Sequence, residues 1–119
     1  CGHARRRGIA GVLVNGAVRD IDTIASWPDM PVFSLGNTAR GPLSKERGTV
    51  NEPIVFGGVR VDPGDIVVAD NDGIVVVPVA EAEDVAARGE AQFAAELAWM
   101  EELAGGRTLA EVFAAPQVV

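Results

Sequence analysis

The spacing of apolar residues changes character twice along the chain, and each change predicts a different kind of element. In the first third, short apolar runs alternate with segments of helical length. Cys1 to Arg7 followed by Gly8 reads as the end of a helix, since glycine takes the left-handed backbone that closes a helix at no steric cost. Ile9 to Val14 is a continuous apolar run suited to a buried strand. Asn15-Gly16 supplies a turn, Ala17 to Trp27 a short helix, and Pro28 stops that helix before a strand over Pro31 to Leu35. This third predicts α-β-α-β.

From Gly36 to Gly48 the sequence is polar, with Asn37, Thr38, Arg40, Ser44, Lys45, Glu46 and Arg47, which predicts a long surface loop of the kind that often carries function. Beyond it, Val50 to Val61, Ile66 to Ala69 and Gly73 to Val79 are rich in β-branched residues. Gly57-Gly58, Pro63-Gly64-Asp65 and Asn71-Asp72-Gly73 separate them, so strands joined by tight turns are expected. The pattern then switches to steps of three and four. Ala82, Val85, Ala86, Phe93, Leu97, Met100 and Leu103 predict a helix from about Ala80 to Ala104, ended by Gly105-Gly106. A last short helix is expected over Arg107 to Phe113, with Thr108 as its N-cap and Glu111 completing a capping box.

Composition narrows what these elements build. A chain of 119 residues supports one domain with a real core. The 48% apolar content, with few aromatics, points to Val, Ile, Leu and Ala in that core and excludes disorder. The 17 acidic residues outnumber 10 basic ones for a net charge of −7, which disfavours both nucleic acid and anionic membrane as partners. The one basic run, Arg5-Arg6-Arg7, falls where cations favour a helix C-terminus. No stretch is long and apolar enough to span a bilayer, and the single cysteine, Cys1, has no partner for an internal disulfide. A reducing cytoplasm fits these features. The chain lacks an initiator Met and opens inside a helix, so the N-terminal portion of the domain is expected to lie upstream of Cys1.

Candidate chemistry centres on Gly8-Ile9-Ala10-Gly11-Val12-Leu13-Val14-Asn15-Gly16-Ala17-Val18-Arg19-Asp20, which places a cation and a carboxylate side by side just after a strand. In α/β sheets ligands bind at that point. The segment resembles the Gly-Ala-Val-Arg-Asp signature of the 4-hydroxy-4-methyl-2-oxoglutarate and 4-carboxy-4-hydroxy-2-oxoadipate aldolases and of their relative, the regulator of ribonuclease E activity. Similar to the same superfamily are Gly36-Asn37-Thr38-Ala39-Arg40-Gly41, Val50-Asn51-Glu52-Pro53-Ile54, and Phe56-Gly57-Gly58-Val59 leading into Val61-Asp62-Pro63-Gly64-Asp65. Asp70-Asn71-Asp72-Gly73-Ile74-Val75-Val76-Val77-Pro78 completes the series. The resemblance implies an α/β fold, a swivelling β/β/α domain of the RraA-like type (an α-β-β-α sandwich) with a C-terminal helical tail. It also implies a homotrimer or homohexamer with the active site between subunits.

The resemblance further implies a divalent-metal-dependent, class II aldolase that cleaves 4-hydroxy-4-methyl-2-oxoglutarate or a related small 2-oxo acid to pyruvate and a second 2-oxo acid, with oxaloacetate decarboxylation as a side activity. Aldolases of the family carry Arg-Asp at positions 19 and 20, whereas the ribonuclease regulators replace the acid. Asp20 would then hold Mg²⁺ or Mn²⁺, for which hard carboxylate oxygen suits. Arg19 would bind the carboxylate or enolate oxygen of the pyruvyl unit with its planar fork of donors. The only lysine, Lys45, lies in a polar loop unsuited to Schiff-base chemistry. A further family Asp, in a Gly-Asp segment, falls just ahead of Cys1 when family spacing is carried back from Arg19. The alternative is a non-catalytic protein-binding regulator, which the acid at Asp20 argues against.

Other residues carry two readings each. Thr38 and Arg40 are candidates to bind substrate oxygens, or are merely solvated loop residues. Glu96 stands three residues after Phe93 and four before Met100, which puts a carboxylate in the apolar stripe of the long helix. It is either the acid that the family resemblance places near a neighbouring subunit's metal, or a stripe-edge residue that reaches solvent. His3 has no metal-ligand partner at helical spacing, and Asp65, Asp70 and Asp72 suit turns better than a calcium loop.

Overall fold

The computed structural model describes residues 1–42 and 47–114. Contacts divide the chain into two units, Cys1–Val61 and Asp62–Val119. Helices and strands are mixed, consistent with an α/β reading, with the strands in three two-stranded sheets. Lys45 and the apolar C-terminal residues beyond Ala114 fall outside the described residues.

The first unit opens with helix α1, Gly2–Arg6, closed by Arg7 and by Gly8 at φ 70°. The Gly8 and Ile9 N–H groups donate to the Arg5 and Ala4 carbonyls at 3.0 and 3.2 Å, satisfying the last turn of the helix. Strand β1, Val12–Val18, lies parallel to β2, Val32–Asn37, and helix α2, Ile21–Ala25, makes the crossover between them. Parallel strands need such a connection, because a two-residue turn cannot return the chain to the same direction. Met30, just before β2, is 1% exposed and anchors the end of the crossover.

Two expectations need correction here. The strand does not occupy Ile9 to Val14, and Asn15-Gly16 is not a turn. The chain pairs Val12 with Val32, Leu13 with Phe33 and Val14 with Ser34, then passes Asn15-Gly16 as a bulge and resumes at Ala17 with Gly36 and Val18 with Asn37. Two residues of β1 oppose the single Leu35 there, which is how a strand absorbs an extra residue. The helix expected from Ala17 therefore starts only at Ile21, and β2 takes Gly36 and Asn37 from the expected loop. Ladder pairing, which local pattern does not reveal, has overridden the turn propensity of Asn-Gly. The unit closes with a hairpin of β3, Ile54–Phe56, and β4, Val59–Val61. Its two turn residues, Gly57 and Gly58, have φ of 55° and 86°, the positive values that a tight hairpin turn demands.

The second unit contains a hairpin of β5, Ile66–Ala69, and β6, Ile74–Val77, whose turn is tied by Asp70. One Asp70 carboxylate oxygen, Oδ1, accepts the Asp72 and Gly73 N–H groups at 2.8 and 3.1 Å, and Asp65 Oδ2 accepts the Asp62 N–H at 2.9 Å. These aspartates are turn-formers, as expected. A 3₁₀ turn over Val79–Glu81 leads into helix α3, Ala82–Ala104, and helix α4, Leu109–Val112, follows. The capping box is present: Thr108 Oγ1 accepts the Glu111 N–H at 3.3 Å and Glu111 Oε2 accepts the Thr108 N–H at 2.8 Å. Trp99 and Phe113 meet edge-to-face at 5.0 Å between ring centroids.

The expected Val, Ile and Leu core does not close among the described residues, where only Met30 and Val77 are buried among the hydrophobics. Successive strand residues point to opposite faces, and Ile66, Val67 and Val68 are exposed together along β5, while Val77 of β6, opposite Ile66, is buried. The stripe of α3 has the expected period, but Phe93, Leu97 and Met100 are also exposed.

Candidate functional site

Arg19 and Asp20 follow β1 directly, and Thr38 and Arg40 follow β2, so the parallel pairing of the two strands brings both segments to one end of the sheet. The Thr38 N–H donates to the Val18 carbonyl at 2.9 Å, extending the ladder one step past β2. The Thr38 hydroxyl then accepts the Arg40 N–H at 3.1 Å, and the segment passes beside Arg19 at Gly41. All four residues line one cavity of about 730 Å³, whose remaining wall is largely apolar, including Val14, Ala17, Ile24 and Trp27. A volume of that order holds a small organic ligand, and a mostly apolar wall with a few convergent polar groups is the usual make-up of such a site.

Asp20 has an unusual backbone. It stands at the N-cap of α2, a position Asp favours, yet it has φ 60° and ψ 41° and its side chain makes no capping hydrogen bond. A residue with a Cβ pays for the left-handed region, and such outliers gather at functional sites. The helix is instead held by the Asp20 carbonyl, which accepts the Ile24 N–H at 3.0 Å. Its carboxylate faces Arg19, with Nε to Oδ2 at 3.6 Å, and the two side chains are 54% and 71% exposed. An ion pair so open to water contributes little to stability, so both groups stay available to a ligand.

Gly41 shapes the Arg19 side of the cavity. A Cβ placed on it would lie 3.1 Å from Arg19 Nη1, so a side chain here would push the guanidinium aside by a few tenths of an ångström. Trp27, at the other side, is held from behind by Arg5, whose guanidinium carbon lies 5.1 Å from the ring centroid and whose Nε donates to Asp29 Oδ1 at 2.8 Å. Neither Gly41 nor Trp27 stands out in the sequence as a site residue. Gly41 closes the quoted Gly-Asn-Thr-Ala-Arg-Gly segment, a signal that points to it, whereas the partners of Trp27 are distant in sequence and leave no local sign.

Glu96 is carried by α3 in the second unit, where it is exposed and its Oε1 accepts a hydrogen bond from Gln92 Nε2 at 2.9 Å. Among the described residues no three His, Cys, Asp or Glu side chains group as a ready-made metal set. Asp20 nevertheless suits one ion: Mg²⁺ keeps several waters and takes one or two carboxylates together with substrate oxygens. The hollow over the β5–β6 turn, about 390 Å³, is walled by Val68, Asp70, Asp72, Gly73, Ile74 and Val75 and offers no cation beside its acids.

The model of the RraA-like family, described as Aldolase/RraA, matches residues 1–76, which contain the whole cavity. A protein of Halalkalibacterium halodurans is 40% identical over 84 residues, 71% of this chain and 40% of that protein, and is named "Putative 4-hydroxy-4-methyl-2-oxoglutarate aldolase". Proteins of Ectopseudomonas mendocina and Pseudomonas aeruginosa bearing the same name are 40% and 41% identical, each over 65% of this chain and 47% of theirs. The chain thus spans less than half the length of these relatives. The crystal structure of an uncharacterized protein from Pseudomonas syringae pv. tomato superposes with a TM-score of 0.75 at 33% identity, over 93% of this chain and 56% of that one. With the family match covering more than half of its residues, the chain belongs to the RraA-like, Aldolase/RraA family.

Proposed function

We propose that the cavity at the ends of β1 and β2 is the pyruvyl-binding part of a divalent-metal-dependent aldolase that cleaves 4-hydroxy-4-methyl-2-oxoglutarate or a related 4-hydroxy-2-oxo acid to pyruvate and a second 2-oxo acid. The observation that carries this reading is the convergence of Arg19, Asp20, Thr38 and Arg40 on one cavity. The names of the relatives support the aldolase class. In keeping with the family, the domain would complete the swivelling β/β/α sandwich and assemble as a trimer or hexamer, with Glu96 available to a site shared between chains.

Asp20 would hold Mg²⁺ or Mn²⁺, with water and substrate oxygens as the remaining ligands. The bound cation would supply Lewis-acid polarisation of the substrate's 2-oxo group. Arg19 would place its fork of donors on the substrate carboxylate and on the negative charge that develops as the carbon–carbon bond breaks, an arrangement that lowers the barrier because the donors are already oriented. Gly41 keeps Arg19 in that position. The Thr38 hydroxyl and the Arg40 guanidinium would bind the substrate's remaining oxygens, and the apolar wall would exclude water from the carbanionic carbon. Oxaloacetate, which leaves the same enolate on losing carbon dioxide, would be a second substrate.

The test is pyruvate release from 4-hydroxy-4-methyl-2-oxoglutarate by the natural full-length protein. Release should require Mg²⁺ or Mn²⁺ and stop on adding chelator, and borohydride with substrate should trap no covalent adduct. Metal-independent release with a trapped lysine adduct would overturn the mechanism. Absence of any release would favour a non-catalytic protein-binding role.

A further inference from the structure

Trp27 is the common wall of two hollows. One, of about 330 Å³, contains Arg5 and Asp29; the other is the candidate site. A third hollow, of about 410 Å³, shares Arg19, Asp20 and Thr38 with the candidate site but does not reach Trp27. The cavity therefore has a polar end at Arg19 and an indole end at Trp27.

The indole is fixed from several directions. Its backbone is caught between the end of α2, where the Trp27 N–H donates to the Ile24 carbonyl at 3.1 Å, and Pro28. Arg5 lies over the ring, 5.1 Å from its centroid, and is itself tied to Asp29 at 2.8 Å. A cation over an indole face is attracted by the ring quadrupole, and Asp29 fixes where that cation sits. At the ring's far edge lies Gly2 of α1, where a Cβ would be in ordinary contact, 3.9 Å from Cη2. The indole is thus a held apolar part of the cavity wall, and Arg5 and Asp29, which hold it, are not among the residues that line that cavity.

From this placement we propose that Trp27 is a specificity-determining residue that receives the C4 substituent of a 2-oxo acid anchored at Arg19, and that Arg5 is the positioning residue that holds the indole. The inference rests on the aldolase reading above. A small apolar group such as methyl gains contact on the ring, whereas hydrogen at C4 leaves that surface wet.

The test compares 4-hydroxy-4-methyl-2-oxoglutarate with 4-hydroxy-2-oxoglutarate, which lacks the methyl group, in the natural full-length protein. In Trp27→Ala the ratio of kcat/KM for the methylated over the unmethylated substrate should fall about tenfold, the scale of one methyl group in an apolar pocket. Arg5→Ala should lower the ratio in the same direction by a smaller factor, and Arg5→Lys should restore part of it. A second measurement avoids altering Trp27. Trp99 is the only other tryptophan in these 119 residues, so a Trp99→Phe variant, with any tryptophan outside them also replaced by Phe, reports on Trp27 alone. Its emission should change on adding 4-methyl-2-oxopentanoate, an unreactive 2-oxo acid with a C4 methyl group, and not on adding pyruvate. Equal losses on both substrates, an unmoved ratio, or emission blind to the branched acid would each overturn the assignment of Trp27 and leave the aldolase reading standing. If the wild-type protein cleaves neither substrate, the aldolase reading fails and the assignment falls with it.

Discussion

Asp20 holds a left-handed backbone without using its side chain to cap the helix it begins. Stability alone would favour another residue, since a Cβ in that region costs about 1 kcal/mol that glycine avoids. Asp20→Gly should therefore leave unfolding free energy unchanged or raise it by up to about 1 kcal/mol in a denaturant titration, while abolishing metal-dependent turnover. A clear loss of stability would mean that the carboxylate serves the fold instead. Gly41→Ala should have the complementary effect. The added Cβ meets the flexible end of Arg19, 3.1 Å away, so the fold should tolerate it while kcat/KM falls about tenfold as the guanidinium is displaced. Of these residues, Arg19, Asp20, Thr38 and Arg40 are legible in the sequence, because each lies within two or three positions of a strand end. Trp27 is not, because what makes it a wall is an arginine on another helix.

Among the elements, α4 was readable almost residue by residue, since a capping box is a local arrangement of Thr108 and Glu111. Its stability should depend on pH in a definite direction. The Glu111 carboxyl is held below the usual carboxylate value, chiefly by the Thr108 backbone N–H and then by the Thr108 hydroxyl, with desolvation opposing and Arg107 adding a lesser pull. The folded state therefore binds this proton less tightly than the unfolded state. The stabilisation is present above the unfolded carboxylate value and is lost as pH falls through the lower folded one. Thr108→Ala should weaken the protection of the α4 amides against hydrogen exchange by about 1 kcal/mol at neutral pH. That difference should shrink in acid; a difference independent of pH would show that the hydroxyl acts without the carboxylate. The β1 bulge, by contrast, was not readable. Asn15-Gly16 suits a turn and a bulge equally, and only the pairing with β2 decides between them.

At the scale of the whole molecule, the sequence shows where apolar residues recur but not what covers them. The continuous apolar runs of β5 and β6 and the three-and-four spacing in α3 are both present, yet Ile66, Val67, Val68, Phe93, Leu97 and Met100 are exposed. Apolar surface of this extent calls for a cover, either the rest of the natural chain or a neighbouring one, and the proposed assembly would supply the second. Light scattering of the natural full-length protein should give a mass of three or six chains, and a stable, fully active monomer would remove Glu96 from the site. The central claim, that Arg19 and Asp20 divide the work of binding the enolate and binding the metal, is tested most directly by measuring Mn²⁺ affinity and pyruvate release together in two variants. Asp20→Asn should lose both. Arg19→Lys should keep Mn²⁺ affinity near wild type while turnover falls about a hundredfold, the scale of losing an oriented donor to a developing oxyanion. Wild-type turnover in both variants would reduce the pair to an ordinary surface ion pair and contradict the account.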